Sequence, residues 1–231
     1  MSKVITIGAP YIAHIDEKVR LCSKVKKPSG DFELYYELPA EYEKYLCTER
    51  SDSFVLGILE YAMYLGLDIK CEAPMSESLH YQLCNYGMNI LSDNLDCINR
   101  IKIDSTYTNE EIKSENAVGT GFSAGVDSFY TVLKHLEPDE GSFKLTHLLI
   151  ANIGAFTYAS TEKTSKLFYK QVETLMPAAN ELGLPLISVN SNYNDFYLDA
   201  NVKVEHRDYI SAGTPMKIAS CVYALRKLFS V

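Results

Sequence analysis

The chain has no tryptophan, no Cys-x-x-Cys pair and no apolar stretch that approaches the length of a membrane span. Without the Cys-x-x-Cys spacing, the common zinc-ribbon and dithiol redox arrangements are not expected. Cys22, Cys47, Cys71, Cys84, Cys97 and Cys221 are scattered through 231 residues, as free thiols are in a reducing compartment. Basic residues are also in short supply. The 22 Lys and Arg against 30 Asp and Glu leave a formal charge of −8. An extended nucleic-acid surface needs clustered cations, so none is expected; the short run Lys24-Val25-Lys26-Lys27 reads as a solvated turn. The opening residues form a short β-like run, too short for a signal-peptide core. These absences predict a cytoplasmic protein with no membrane segment.

What is present is ordinary globular material: 47% hydrophobic and 23% charged residues, enough to bury a core. The two halves differ in pattern. In the first, strands are expected at 4–7, 19–25 and 32–37, with turns at Gly8-Ala9-Pro10 and Pro28-Ser29-Gly30-Asp31. Ser51-Asp52-Ser53 opens a helix whose Phe54, Val55, Ile58, Leu59, Ala62 and Met63 fall at helical spacing. A strand at 68–71, a helix at 76–91 and a strand at 97–103 complete a small α+β domain over residues 1–105. Residues 106–116 are polar and read as a linker. From 117 to 231 strands and helices alternate. Strands are expected at 117–122, 145–151 and 186–189, and helices at 126–135, 161–182 and 210–228. Such alternation predicts an α/β domain with a parallel sheet.

The chemistry concentrates in Gly119-Thr120-Gly121-Phe122-Ser123-Ala124-Gly125-Val126-Asp127-Ser128, where a strand runs through small residues into a helix. A dinucleotide fingerprint can be read from Gly119, Gly121 and Ala124, but the second strand ends without the acidic residue that would hold a ribose. A nucleophile elbow can be read from Gly121, Ser123 and Gly125, with Asp199 and His206 downstream in the order a hydrolase requires. A Walker A loop is excluded, since no Gly-Lys-Ser/Thr follows. A tight turn of small residues continued by a helix N-terminus directs N–H groups at anionic oxygens. Asp127 opposes a phosphate unless a Mg²⁺ stands between them; alone, it would be a first-turn acid favoured by the helix dipole.

Ser123, Gly125, Asp127 and Ser128 also resemble the Ser-Gly-Gly-x-Asp-Ser loop of the PP-loop ATP pyrophosphatases, with Ala124 where a second glycine is usual. The likeness covers the chain from about residue 117 and is loosely nearest the branch of the 7-cyano-7-deazaguanine synthases, whose zinc-binding cysteines are lacking here. It implies a HUP-type, Rossmann-like nucleotide-binding sheet and an ATP-dependent ligase. Such an enzyme adenylates a substrate oxygen, releases pyrophosphate and lets a nitrogen or sulfur nucleophile displace AMP.

By that likeness the cofactors are ATP and Mg²⁺, and the other partner is a small-molecule or peptide substrate. Phe122, Ser123, Ala124, Gly125, Val126, Asp127 and Ser128 would hold the phosphates, with Ser123 and Asp127 in the catalytic roles and Asp127 on the metal. Ala151, Asn152 and Ile153 would face adenine. Arg207 could clamp an anion beside His206. Asn190, Asn192 and Asn194, past the third strand, either line the substrate side or make turns. A non-catalytic nucleotide-binding module and a serine hydrolase using Ser123 remain open, and a homodimer is an admissible assembly. The loop-bearing strand is expected at the edge of an incomplete sheet, because no fourth strand follows the last helix. That suggests a fragment, or coverage of this edge by the N-terminal unit or by a partner chain.

Overall fold

The computed structural model describes residues 4–136, 143–154, 160–200 and 214–230. The strands are β1 (Val4–Ile7), β2 (Tyr11–Ile15), β3 (Lys18–Lys27), β4 (Gly30–Pro39), β5 (Asp68–Cys71), β6 (Met75–Ser76), β7 (Ile103–Asp104), β8 (Tyr107–Thr108), β9 (Gly119–Gly121), β10 (His147–Asn152) and β11 (Leu186–Ser191). The α-helices are α1 (Asp52–Leu65), α2 (Glu77–Gln82), α3 (Met88–Asn94), α4 (Val126–Leu136), α5 (Thr161–Leu182), α6 (Tyr193–Tyr197) and α7 (Thr214–Ala224). Among the described residues no helix is long and apolar enough to cross a membrane.

The chain is a mixed α/β protein built on one sheet, in the order β7-β5-β1-β3-β4-β11-β10-β9, with β2 attached to β3. The expected parallel set is there, because β9, β10 and β11 run parallel. It does not stand alone. β4 joins β11 antiparallel, pairing Glu37 with Asn190 and Tyr36 with Ser191, so the sheet passes from one half into the other. The segment expected to be a linker carries β8, which pairs with β6. The largest core also crosses this boundary, packing Ile5, Tyr36 and Phe54 with Leu149, Ile187 and Phe196.

Helix α1 shows why the halves fuse. It is buried all round: besides the stripe Phe54, Val55, Ile58, Leu59, Ala62 and Met63, every other residue from Asp52 to Tyr61 is buried too, which a helix with only one covered face would not need. Gly66 ends it at φ 63°, its N–H closing on the Ala62 and Met63 carbonyls. At Gly57 an added Cβ would fall 1.4 Å from the Tyr193 hydroxyl. That hydroxyl meets the Tyr36 OH at 2.8 Å, and Tyr36 donates to the Ser53 carbonyl at 2.9 Å. The tyrosines thus tie β4, α1 and α6 into one packed joint.

The β4–β11 seam is reinforced by side chains. Asn192 accepts from Tyr35 N–H at 3.1 Å and donates to the Glu33 carbonyl at 2.7 Å, extending the ladder past the end of β11. Glu37 accepts from Tyr169 OH at 2.6 Å and pairs with Arg20 at 2.6 Å and Lys18 at 3.2 Å. Burial would raise this carboxyl. The hydrogen bonds from Tyr169 and Arg20 and the charges of Arg20 and Lys18 outweigh burial and hold it below its ordinary range. A depressed carboxylate stabilises the fold above the unfolded pKa and loses that contribution as pH falls through the folded one. Glu37→Gln should therefore cost about 2 kcal/mol at neutral pH, with the deficit shrinking as pH drops below the ordinary 4.5. Urea titrations at neutral and acid pH check this; an equal deficit at both would refute the charge-based account.

At the other end, β9 pairs with β10 and closes the sheet. Among the described residues its outer side carries one isolated parallel bridge, Ala117 to Phe229, with Ala117 N–H on the Leu228 carbonyl at 3.0 Å. The N-terminal unit enters through β4 beside β11, so it does not cover this edge. Nearby, α4 leaves Val126, Tyr130 and Leu133 exposed along one face.

Candidate functional site

Strand β9 delivers the loop. Phe122 is 2% exposed, packs edge-to-face on Phe129 with ring centroids 5.3 Å apart, and donates its N–H to the Leu149 carbonyl at 2.9 Å. With that residue anchored, Ser123, Ala124 and Gly125 turn the chain outward before α4 begins. Ala124 is half-buried, while Ser123, Gly125, Val126 and Asp127 are exposed. Ala124 adopts φ 56°, the left-handed conformation that suits glycine. Phe129 N–H makes the first helical bond, to the Gly125 carbonyl at 3.0 Å. The N–H groups of the first helical turn therefore have no acceptor within α4.

The side chains of the loop are arranged around this turn. Ser123 Oγ accepts from Gly125 N–H at 3.4 Å, which leaves the hydroxyl proton available to a ligand. Ser128 Oγ donates to the Gly125 carbonyl at 2.8 Å and braces the turn from below. The Asp127 carboxylate makes no hydrogen bond or ion pair among the described residues. Those residues contain no group of three or more His, Cys, Asp and Glu placed to hold a metal. A metal here would therefore take Asp127 together with phosphate oxygens and water, the usual manner of Mg²⁺. An open helix start, a left-handed small residue and an unengaged carboxylate fit a Mg²⁺-bound polyphosphate.

The left-handed residue also bears on stability. An alanine in this region is strained by about 1 kcal/mol, partly offset by the greater unfolded-state freedom of glycine. Ala124→Gly is expected to raise unfolding free energy by up to about 1 kcal/mol. Ala124→Val should lower it by more than that, because β-branched residues are poorly tolerated at positive φ. Denaturant unfolding of both variants is the check. A glycine variant less stable than the parent would contradict the assigned backbone.

Strand β10 forms the second wall. Its register with β9 ends at Leu149↔Gly121, yet it continues to Asn152. After the Phe122 N–H bond to Leu149, the paired register with β9 ends, and the last residues of β10 lie at the carboxyl ends of the parallel strands, where open α/β sheets bind ligands. Ala151 is half-buried, and Asn152 and Ile153 are 1% and 3% exposed. The Asn152 side chain is turned inward. It donates to Asn190 Oδ1 at 2.8 Å, while Asn190 donates to Ser165 at 3.0 Å and Asn194 to Thr164 at 3.2 Å. Asn152 and Asn190, near the ends of β10 and β11, and Asn194 of α6 thus knit strands and helices together, as Asn192 does on β4.

Helices α4, α5 and α6 follow the three parallel strands at this end of the sheet, and the starts of α4 and α5 differ. The first N–H of α5, from Thr161, is taken by Asp195 Oδ1 at 3.0 Å. The start of α4 has no such carboxylate cap, so the positive end of α4 is the one open to an anion. Sequence reading missed this contrast, because Asp195 is far from Thr161 along the chain. It also missed Lys217, buried in the first turn of α7 and paired with buried Glu60 of α1 at 3.2 Å. The only local signal was a charged residue at helical spacing among apolar neighbours.

The competing motifs fit this geometry less well. Gly119 and Gly121 lie within β9 rather than in the turn, where a dinucleotide fingerprint needs its glycines. In a nucleophile elbow the strained residue is the serine, whereas here positive φ falls on Ala124. Arg207, His206 and the stretch 211–213 lie outside the described residues, as does the side chain of Asp199. No family model, curated protein or solved structure matches this chain.

Proposed function

We propose that the chain binds ATP with Mg²⁺ through residues 122–128 and uses it to adenylate a substrate oxygen, releasing pyrophosphate. AMP is then displaced by a nitrogen or sulfur nucleophile. One observation carries the reading: the β9–α4 turn, with Ala124 left-handed and the helix start open, beside an α5 start already capped by Asp195. The parallel order β11-β10-β9, with a helix after β9 and another after β10, supports a HUP-type, Rossmann-like nucleotide domain within the larger mixed sheet.

In this account the N–H groups of Val126 to Ser128 bind the β- and γ-phosphates, and Ser123, which accepts from Gly125, donates its hydroxyl to the same oxygens. Asp127 would hold the Mg²⁺, which when bound neutralises charge on the phosphates. The backbone of Ile150 to Ile153, at the end of β10 and just past it, offers adenine a wall. Ala151 is the small half-buried residue of that wall, between the inward-turned Asn152 and the buried Ile153. The substrate, a small molecule or peptide, enters at the carboxyl ends of β9 and β10.

A second reading has one observation in its favour. With alanine rather than glycine at the left-handed position, a Cβ stands in the loop, which suits a module that holds the nucleotide without turning it over. ATP labelled at the α-phosphate separates the two when supplied with candidate carboxylate or amide substrates and an ammonia or sulfide donor. Labelled AMP with unlabelled pyrophosphate supports the enzyme; binding with no product supports the module. Labelled ADP would refute α–β cleavage. Covalent capture of Ser123 by a fluorophosphonate would favour the hydrolase instead.

A further inference from the structure

Away from the nucleotide loop, the helical run that begins with α2 carries a thiol, an imidazole and a phenol in contact. Cys84 lies in a π-helical turn, Leu83–Gly87, between α2 and α3, where the Met88 N–H reaches back to the Leu83 carbonyl. Such single π-turns within helices occur frequently at functional sites. Here the turn sets Cys84 Sγ 3.2 Å from His80 Nε2, one helical turn earlier. Tyr107 OH of β8 approaches the same nitrogen at 3.1 Å, and its ring lies against the imidazole with centroids 4.3 Å apart. In the tautomer protonated at Nδ1, the one lone pair of Nε2 accepts from the Cys84 thiol, while the Tyr107 hydroxyl donates to the Ile103 carbonyl at 3.4 Å. Arg100, whose guanidinium donates to the Cys84 carbonyl at 3.0 Å, brings a positive charge to the same side, and Asp104 of β7 faces Tyr107.

We propose that Cys84 is a reactive thiol with His80 as its general base, open to exchange with small disulfides. The reaction balances without any further reagent. His80 Nε2 takes the Sγ proton while the sulfur electron pair forms a bond to one sulfur of the disulfide. The disulfide S–S bond breaks, and the departing thiolate carries off that pair and is reprotonated from the imidazolium. Tyr107 is the positioning residue, holding the imidazole plane toward the sulfur. Burial pushes the Cys84 thiol up and Arg100 pulls it down, with a net rise. At neutral pH the proton thus stays on sulfur, and attack there needs a base within reach.

The other thiols supply the comparison. Cys22, Cys47, Cys71 and Cys221 are buried, whereas Cys97 is half-buried like Cys84. Its thiol is also raised by burial, and no imidazole contacts it among the described residues. The reduced protein, treated at neutral pH with 5,5′-dithiobis(2-nitrobenzoate) and mapped by peptide mass spectrometry, should react first at Cys84. Its rate should exceed that at Cys97 by at least about tenfold, a modest share of what a positioned base contributes. His80→Asn should bring Cys84 down to the Cys97 rate and move its pH–rate profile toward alkaline pH, with Cys97 unchanged. Tyr107→Phe should fall between the two. Equal rates at Cys84 and Cys97 in the unaltered protein would overturn the proposal, whatever the variants do. So would a His80→Asn protein in which Cys84 reacts as before.

Discussion

If residues 122–128 hold ATP with Mg²⁺ as proposed, Asp127→Ala is expected to abolish the Mg²⁺-dependent part of the thermal stabilisation that ATP would give. Binding to the native state alone stabilises by mass action, about 2.7 kcal/mol at a hundredfold excess over Kd. For a chain of this length that corresponds to a rise of roughly 5–10 °C. The carboxylate stands exposed in the first turn of α4, so removing it also takes away a favourable contact with the helix dipole. That loss, about 0.3–1 kcal/mol, lowers the melting temperature of the free protein. The quantity to compare is therefore the shift on adding ATP, with and without Mg²⁺. Should the variant keep the full metal-dependent shift, Asp127 serves only its helix and the metal is held elsewhere.

The second large effect concerns the joint between the halves. Lys217 of α7 and Glu60 of α1 are 4% and 2% exposed and pair at 3.2 Å, with the ammonium also 4.5 Å from the centre of the Tyr197 ring. Taking the ammonium from such a pair deprives the buried Glu60 carboxylate of this counter-charge, and losing one partner of a buried ion pair costs about 3–5 kcal/mol. Lys217→Met should therefore unfold at markedly lower urea. Glu60→Leu combined with Lys217→Met should recover most of the loss, since a well-packed apolar replacement of both partners is often neutral. A single variant within about 1 kcal/mol of the parent, or a double variant no better than the single, would contradict this role.

Local pattern carried much of the fold. The 161–182 helix and the 68–71 strand appear within their expected bounds, because periodicity and a terminal Gly183 at φ 67° mark them in a short window. The hairpin strand β2 went unread: Tyr11 to Ile15 is half-exposed and weakly alternating, and its turn relies on Asp16 at φ 52°. Residues 97–103 look like a strand because Ile98 and Ile101 are apolar. Both are buried, but the chain there turns through Ile98 N–H to the Leu95 carbonyl and joins the sheet only at Ile103.

The shared sheet was not legible, since the pairing of Glu37 with Asn190 is a long-range choice that no local window encodes. Within the site, the turn at residues 123–125 could be read from its small residues. The inward engagement of Asn152 with Asn190 could not, because whether an asparagine at a strand end faces ligand or neighbour depends on what packs across it.

The central claim is that this turn holds the phosphates of ATP. A crystal structure with Mg²⁺ and α,β-methylene-ATP, which resists cleavage between the first two phosphates, tests it directly. The expected result has the β- and γ-phosphates on the N–H groups of Val126 to Ser128, the metal on the Asp127 carboxylate and adenine against the backbone of Ile150 to Ile153. Nucleotide bound elsewhere, or a turn that stays free at saturating analogue, would contradict the account.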